Sequence, residues 1–281
     1  MKKYVLYDGI IDINQTLPLV TSAKELLKFI DLELPTLQNA PRDIGNGSIG
    51  IGDEEFYTLN AKTLSLAAKE DSAIVCVEDS SFLSLILTKR ELKSNQILRD
   101  KVEVNLAKEG IELNFRVKID TLDQFITKEY GVSKIKKALK NSFDKFYGAL
   151  YLGSYQCQIA RYSDINSYAN LLDKIDLKLV NYNLKEQVSG YEILDVNEEL
   201  SYKMAGGLML DMFDNAADFI IVNDARSFVM FDEYQKNIEK TVGREINLPV
   251  FSLAQILLLA FGVTDRDKLG LNDHKIKTNL I

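Results

Sequence analysis

The chain has 281 residues, with 41 Asp and Glu against 34 Lys and Arg, a formal net charge of −7 and 46% hydrophobic residues. At roughly 150 residues per domain this length predicts two domains, each large enough to bury a core without disulfides or a metal. An acidic balance without a block of Lys and Arg excludes a phosphate-binding surface, so no nucleic-acid partner is expected. The short basic run ending at Lys140 reads as a helix with a solvated face.

Two cysteines, Cys76 and Cys157, and one histidine, His274, are too few for a disulfide framework or a soft-metal site. The N-terminus is charged and then apolar, but Asp8, Asp12 and Asn14 interrupt it, so it reads as a first strand rather than a signal peptide. The longest apolar run, Ile256–Phe261, is too short to cross a bilayer. The expectation is a cytoplasmic protein without membrane insertion.

In chain order, Lys3–Tyr7 reads as a buried strand. Ser22-x-x-Glu25 reads as a capping box ahead of Leu26, Leu27 and Ile30. A helix is predicted from Asp53 to Lys69 with Phe56, Leu59, Leu64 and Ala67 inward. A β-rich run follows at Ser72–Val77, and then a helix through Leu83, Leu85, Ile86 and Leu87. The second half repeats the plan. It has a strand at Tyr147–Leu152, helices at Ile165–Ile175 and Glu198–Ala216, a strand at Phe219–Val222 and a helix at Phe228–Lys240. Alternating strands and helices predict an α/β fold of two homologous halves, each a parallel-type sheet flanked by helices. The expected boundaries are 1–141 and 146–264, joined by a linker at Ser142–Lys145 and followed by a loose, solvated tail over 265–281 that contains His274.

An internal repeat supports the two halves. Val5–Ile10 (VLYDGI) resembles Ala149–Ser154 (ALYLGS) at an offset of 144 (153 less 9), and Ile74–Phe82 resembles Ile220–Phe228 at 146 (228 less 82). Both signatures fall at strand ends, where ligands of parallel sheets bind.

The segments Tyr147–Ser154, Ala216–Asp232 and Leu248–Val263 resemble the B subunit of heterodisulfide reductase and its relatives, proteins with duplicated cysteine-rich CCG domains. The resemblance implies an α/β fold in which each half places a cysteine after a Gly, a Cys-Cys-Gly and a Cys-x-x-Cys at strand-to-helix turns, ligating iron–sulfur clusters or, in some relatives, zinc. Carried onto this chain, those positions fall on Ile10, Asp43, Ile44, Glu78 and Ser81 in the first half, and on Ser154, Val188, Ser189, Asp224 and Ser227 in the second. None is a cysteine, and Cys76 and Cys157 fall beside them. Cluster iron is held by thiolate sulfur, which these residues cannot supply, so no cofactor, resident metal or catalytic residue is expected.

Asp43, Glu78 and Ser81 could hold a hard cation or form an acid–base pair. Ser154, Ser189, Asp224, Arg226 and Ser227 could hold a small anion. Helix capping explains the same residues without a ligand. The glycine-rich stretch Gly45–Gly52 matches no nucleotide fingerprint and reads as a turn. Gly206 and Gly207, inside a predicted helix, suggest close packing on the sheet or a local break. Two functional expectations result. One is a non-catalytic, cluster-free relative of that reductase B subunit, acting through a protein partner such as a redox complex. The other is a small-anion- or hard-metal-binding protein or enzyme using a refitted pocket. The sequence leaves the partner and the oligomeric state open.

Overall fold

The computed structural model describes residues 3–10, 16–45, 53–153 and 166–278. In chain order these form β1 (Lys3–Tyr7), α1 (Leu17–Phe29), α2 (Asp53–Lys69), β2 (Ser72–Cys76), α3 (Asp79–Ser94), α4 (Gln96–Ala107), β3 (Ile119–Thr121), α5 (Leu122–Phe125), α6 (Val132–Ala138), β4 (Tyr147–Tyr151), α7 (Asn166–Asp173), β5 (Lys178–Leu179), α8 (Glu198–Asp214), β6 (Phe219–Val222), α9 (Ala225–Asp232), α10 (Gln235–Val242), β7 (Val250–Phe251) and α11 (Leu253–Ala260). The chain divides into two compact units, Met1–Ile11 with Glu33–Phe125, and Asp12–Leu32 with Ile126–Ile281.

The first unit holds a parallel sheet of order β1-β2-β3, with Val5 opposite Ile74 and Ile74 opposite Ile119. Its central strand is buried at every position. That is the pattern of a strand covered on both faces, where a continuous apolar run replaces alternation. Helix α2 turns Phe56, Leu64 and Ala67 inward at 0% exposure, with Leu59 half-buried. It also packs with α4 in a cluster built on Phe56, Tyr57, Leu92, Val102 and Leu106.

The second unit holds a parallel sheet of order β5-β4-β6-β7. All eight residues of α11 are buried and seven of them are apolar, as suits an interior helix. Ser252 and Gln255 close a reciprocal capping box at its start. The box expected at Ser22 does not form. Pro18, in the first turn, sets the start of α1 upstream, and Ser22 lies within the helix, where its hydroxyl donates to Pro18 O at 2.7 Å and meets Ser252 Oγ at 3.0 Å. This buried hydroxyl pair joins α1 to α11. Helix α1 therefore clusters with the second unit, as do residues 126–141.

Three further expectations change. The helix read as Phe228–Lys240 is two helices, α9 and α10, separated at Glu233 and Tyr234. Gly206 permits a helix contact rather than a sheet contact: a Cβ there would lie 2.3 Å from Val242 Cγ1 and 3.2 Å from Ile238 Cγ2, both on α10. The tail over 265–278 is not loose. Leu269, Leu271, His274 and Ile276 are buried.

Asp232, at the end of α9, holds this last segment by accepting the amides of Lys275 (2.8 Å) and Ile276 (3.1 Å). His274 lies edge-on to Phe228, and its Nε2 is 2.8 Å from Gln255 Nε2. The Gln255 amide also donates to Leu269 O, so the amide nitrogen is the donor, His274 Nε2 the acceptor, and the ring proton sits on Nδ1, 3.7 Å from Asp232 Oδ1. Burial, then the charges of Lys277 and Arg266, push the histidine down to about 4. Burial pushes Asp232 up to about 6 against the pull of the two amides. Burial outweighs ion pairing here, and the histidine is neutral at pH 7.

A carboxyl whose folded pKa is raised contributes its stability below the unfolded pKa of 3.8 and loses it as pH rises through about 6. Relative to the parent, Asp232→Asn should therefore gain stability as pH rises from 4 to 6, by up to about 3 kcal/mol. Urea unfolding of the two proteins at several pH values measures this, and a pH-independent difference contradicts the assignment.

Candidate functional site

In the first unit, the loop over residues 41–45 lies along the carboxyl end of β1. Tyr7 Oη donates to Pro41 O at 2.8 Å, and the Asp43 amide donates to Gly9 O at 2.6 Å. Gly9 leaves room for this approach, since a Cβ there would come within 2.6 Å of the Tyr7 ring and 2.9 Å of Pro41 O. Ile10 is buried, and Ile44 packs against the cluster around Phe56. Glu78 is extended at φ −136°, ψ 161° and caps α3. Its Oε1 accepts the Ser81 amide at 2.8 Å, the Ser80 hydroxyl at 3.3 Å and the Ser81 hydroxyl. Asp43 accepts the Gly45 amide and the hydroxyl of Ser84, each at 3.1 Å.

The structure thus brings Glu78 together with Ser81, and Asp43 with Ser84, a fully buried serine that sequence reasoning missed. The available signal was its place three residues beyond Ser81 on the same helix.

Cys76 ends β2 beside these carboxylates. Burial, then Glu78, Asp43, Asp79 and Asp120, hold its thiol well above the ordinary range, so it stays protonated. A metal-binding cysteine needs the opposite surroundings, with positive charge that favours thiolate. Tyr7 is likewise pushed up, first by burial and then by Asp43.

The second unit repeats these contacts. Tyr151 Oη donates to Gln187 O at 2.8 Å, and Asp224 caps α9 by accepting the Ser227 amide at 2.9 Å. Burial, then Asp224, pushes the Tyr151 phenol up, and a hydrogen bond with Ser227 pulls against it. Ser189 is buried, while Val188 is 36% exposed. Gly190 has φ +88°, and a Cβ there would meet Ser201 O at 2.7 Å, so only glycine fits between this loop and α8. The Arg226 guanidinium lies over the Tyr191 ring, 5.9 Å from its centroid, and 4.0 Å from Glu192. Ser154 and Cys157 lie outside the described residues, as does 46–52 of the glycine-rich stretch.

The fit to a cluster can be judged from the donors. At the described positions to which the family resemblance carries cysteines stand aliphatic side chains, carboxylates and serines, and the carboxylates accept local hydrogen bonds. A set of hard oxygen donors does not fit thiolate-ligated iron. Among the described residues, no three or more His, Cys, Asp or Glu side chains are grouped to hold a metal ion. Among the same residues, no helix is long and apolar enough to cross a membrane.

Residues 191–275 match the HdrB-like C-terminal domain. The 8-methylmenaquinol:fumarate reductase membrane anchor subunit of Wolinella succinogenes is 23% identical over 228 residues, which cover 79% of this chain and 80% of that protein. The B subunit of the ferredoxin:CoB-CoM heterodisulfide reductase of Methanosarcina mazei is 22% identical over 293 residues, covering 99% of this chain and 95% of its own length. The crystal structure of a hypothetical protein from Helicobacter pylori superimposes with a TM-score of 0.82 at 24% identity. That match covers all of this chain and 53% of the other, so this chain spans about half its length, and the likeness shows the fold. Residues 191–275 thus carry the match to an HdrB-like C-terminal domain, and a heterodisulfide reductase B subunit is similar to this chain along almost its whole length.

Proposed function

We propose that this chain is a non-catalytic, cluster-free subunit of a redox-associated protein assembly, in which helix caps occupy the positions where the family resemblance puts cluster cysteines. The observation that carries this reading is the pair of buried caps, Glu78 on the Ser81 amide and Asp224 on the Ser227 amide. Each uses its carboxylate where the resemblance implies a thiolate, and each satisfies a helix amide that would otherwise be orphaned. The tyrosine contacts to Pro41 and Gln187 recur at a similar spacing. They support descent of the two halves from one duplicated unit. The names of the relatives support an assembly: one is a membrane anchor subunit of a fumarate reductase and another is the B subunit of a heterodisulfide reductase. The partner of this chain is then a protein.

The refitted-pocket alternative draws little support. Arg226 is engaged by Tyr191 and Glu192, and the carboxylates of the first unit serve α3 and its loop.

Two measurements test the proposal. Protein purified without oxygen should contain no stoichiometric iron or zinc and show no broad visible absorption. One equivalent or more of iron with such a band contradicts it. Glu78→Ala and Asp224→Ala should each cost about 1–2 kcal/mol of unfolding free energy, and Asp224→Asn only a few tenths. These losses should be the same with EDTA or with millimolar Mg²⁺. A loss that appears only when a metal is present indicates ligands rather than caps.

A further inference from the structure

The first unit carries an open strand edge outside its sheet. Residues 111–117 (IELNFRV) run without a turn between α4 and β3, and their exposure alternates. Ile111, Leu113 and Phe115 pack against the cluster around Phe56 and Val117 is buried, whereas Glu112, Asn114 and Arg116 are exposed. A period of two is that of an extended strand. Backbone groups alternate across a strand in the same way, and those of the even-numbered residues are used. The amides of Asn114 and Arg116 donate to Ser65 Oγ and Asn114 Oδ1, each at 3.0 Å, and Lys118 O accepts the Ile74 amide at 2.9 Å. On the opposite edge the Ile111 amide donates to Leu106 O at 3.0 Å, and Val117 O accepts Lys89 Nζ at 2.5 Å. Between those two ends, the Leu113 and Phe115 amides donate to no group among the described residues. A strand edge left in this state is a template for a further strand.

The side chains say which strand fits. In an extended chain Glu112 and Arg116 stand about 13 Å apart, so they cannot pair with each other. Among the described residues neither meets an opposite charge, whereas the charges flanking them do: Glu109 meets Lys62, and Lys118 meets Asp120 at 2.6 Å. The segment is self-complementary about Asn114. In an antiparallel second copy centred there, Glu112 of each copy faces Arg116 of the other on the exposed side. The same register joins Leu113 of each copy to Phe115 of the other, the two residues with open amides. It leaves Asn114 opposite Asn114 as a non-hydrogen-bonded pair, which suits an amide already turned to Ser65. Moving the centre to Leu113 or Phe115 loses both Glu–Arg pairs.

We propose that residues 112–116 are a contact between two copies of this chain, paired as antiparallel strands about Asn114 and locked in register by two Glu112–Arg116 pairs. The contact is isologous, each copy giving the same patch. The ribbon is short, so the dimer is weak and is read at about 10–500 µM protein.

The full chain carrying Cys157→Ser throughout provides the test. Asn114→Cys brings two sulfurs to the symmetry axis, where opposed Cα atoms of a non-hydrogen-bonded pair lie about 4.5 Å apart, within disulfide reach. Glu112→Cys leaves the two sulfurs about 13 Å apart or more. Under mild oxidation the Asn114→Cys chain should form a reducible dimer at least tenfold faster than the Glu112→Cys chain. In sedimentation equilibrium over the same concentrations, Glu112→Arg and Arg116→Glu should each weaken self-association at least fivefold. The two substitutions together should restore it to within twofold of the parent, because the pairs re-form with their signs exchanged. A parent that stays monomeric over that range, equal oxidation rates at positions 112 and 114, or a double variant as weak as the single ones overturns the proposal.

Discussion

One contact fixes the chemistry of each half: a carboxylate at the tip of a buried parallel strand accepts the amide of the third residue in the following helix. Glu78 does this after β2 and Asp224 after β6. A strand buried on both faces delivers the chain to a place where water is scarce and the first helix amides point forward. Those amides must find an acceptor or cost desolvation energy. The acid supplies it through one carboxylate oxygen, Oε1 of Glu78 and Oδ2 of Asp224. In the first unit burial, then Glu78 with Asp43, Asp79 and Asp120, keeps the neighbouring Cys76 thiol protonated. A soft-metal site and this cap network place opposite demands on one small volume, so the strand tip serves one or the other.

Much of this was legible in the sequence because it is local. The strands Lys3–Tyr7 and Phe219–Val222 are short apolar runs, and the helix over Asp53–Lys69 has a periodic inward face. Glu78 and Asp224 sit where an N-cap belongs, each three residues ahead of a serine in the following helix. The tyrosines Tyr7 and Tyr151 recur in the repeated strand-end signatures, and their hydroxyls reach the backbone of the opposing loops.

What was not legible depends on residues far apart in the chain. Ser22 matches the capping-box pattern as well as Ser252 does. Only the position of Pro18 and a hydroxyl partner 230 residues away decide that the first lies inside a helix. Membership of α1 in the second unit follows from its packing on α11, which no local pattern encodes. The stretch after Val263 has a polar composition, yet Asp232, Gln255 and Phe228 collect it into the core. Gly206 announced a close approach without saying to what, and the neighbour is α10 rather than the sheet.

The fold supplies the scaffold, and the side chains at the strand tips decide what the scaffold can hold. The most direct measurement is anomalous diffraction from crystals grown without oxygen, with data collected at the iron and zinc absorption edges. The account predicts electron density for Glu78 on the Ser81 amide and Asp224 on the Ser227 amide, with no anomalous peak beside either. An anomalous peak of iron or zinc at either strand tip, with the carboxylate turned away from its amide, would contradict it.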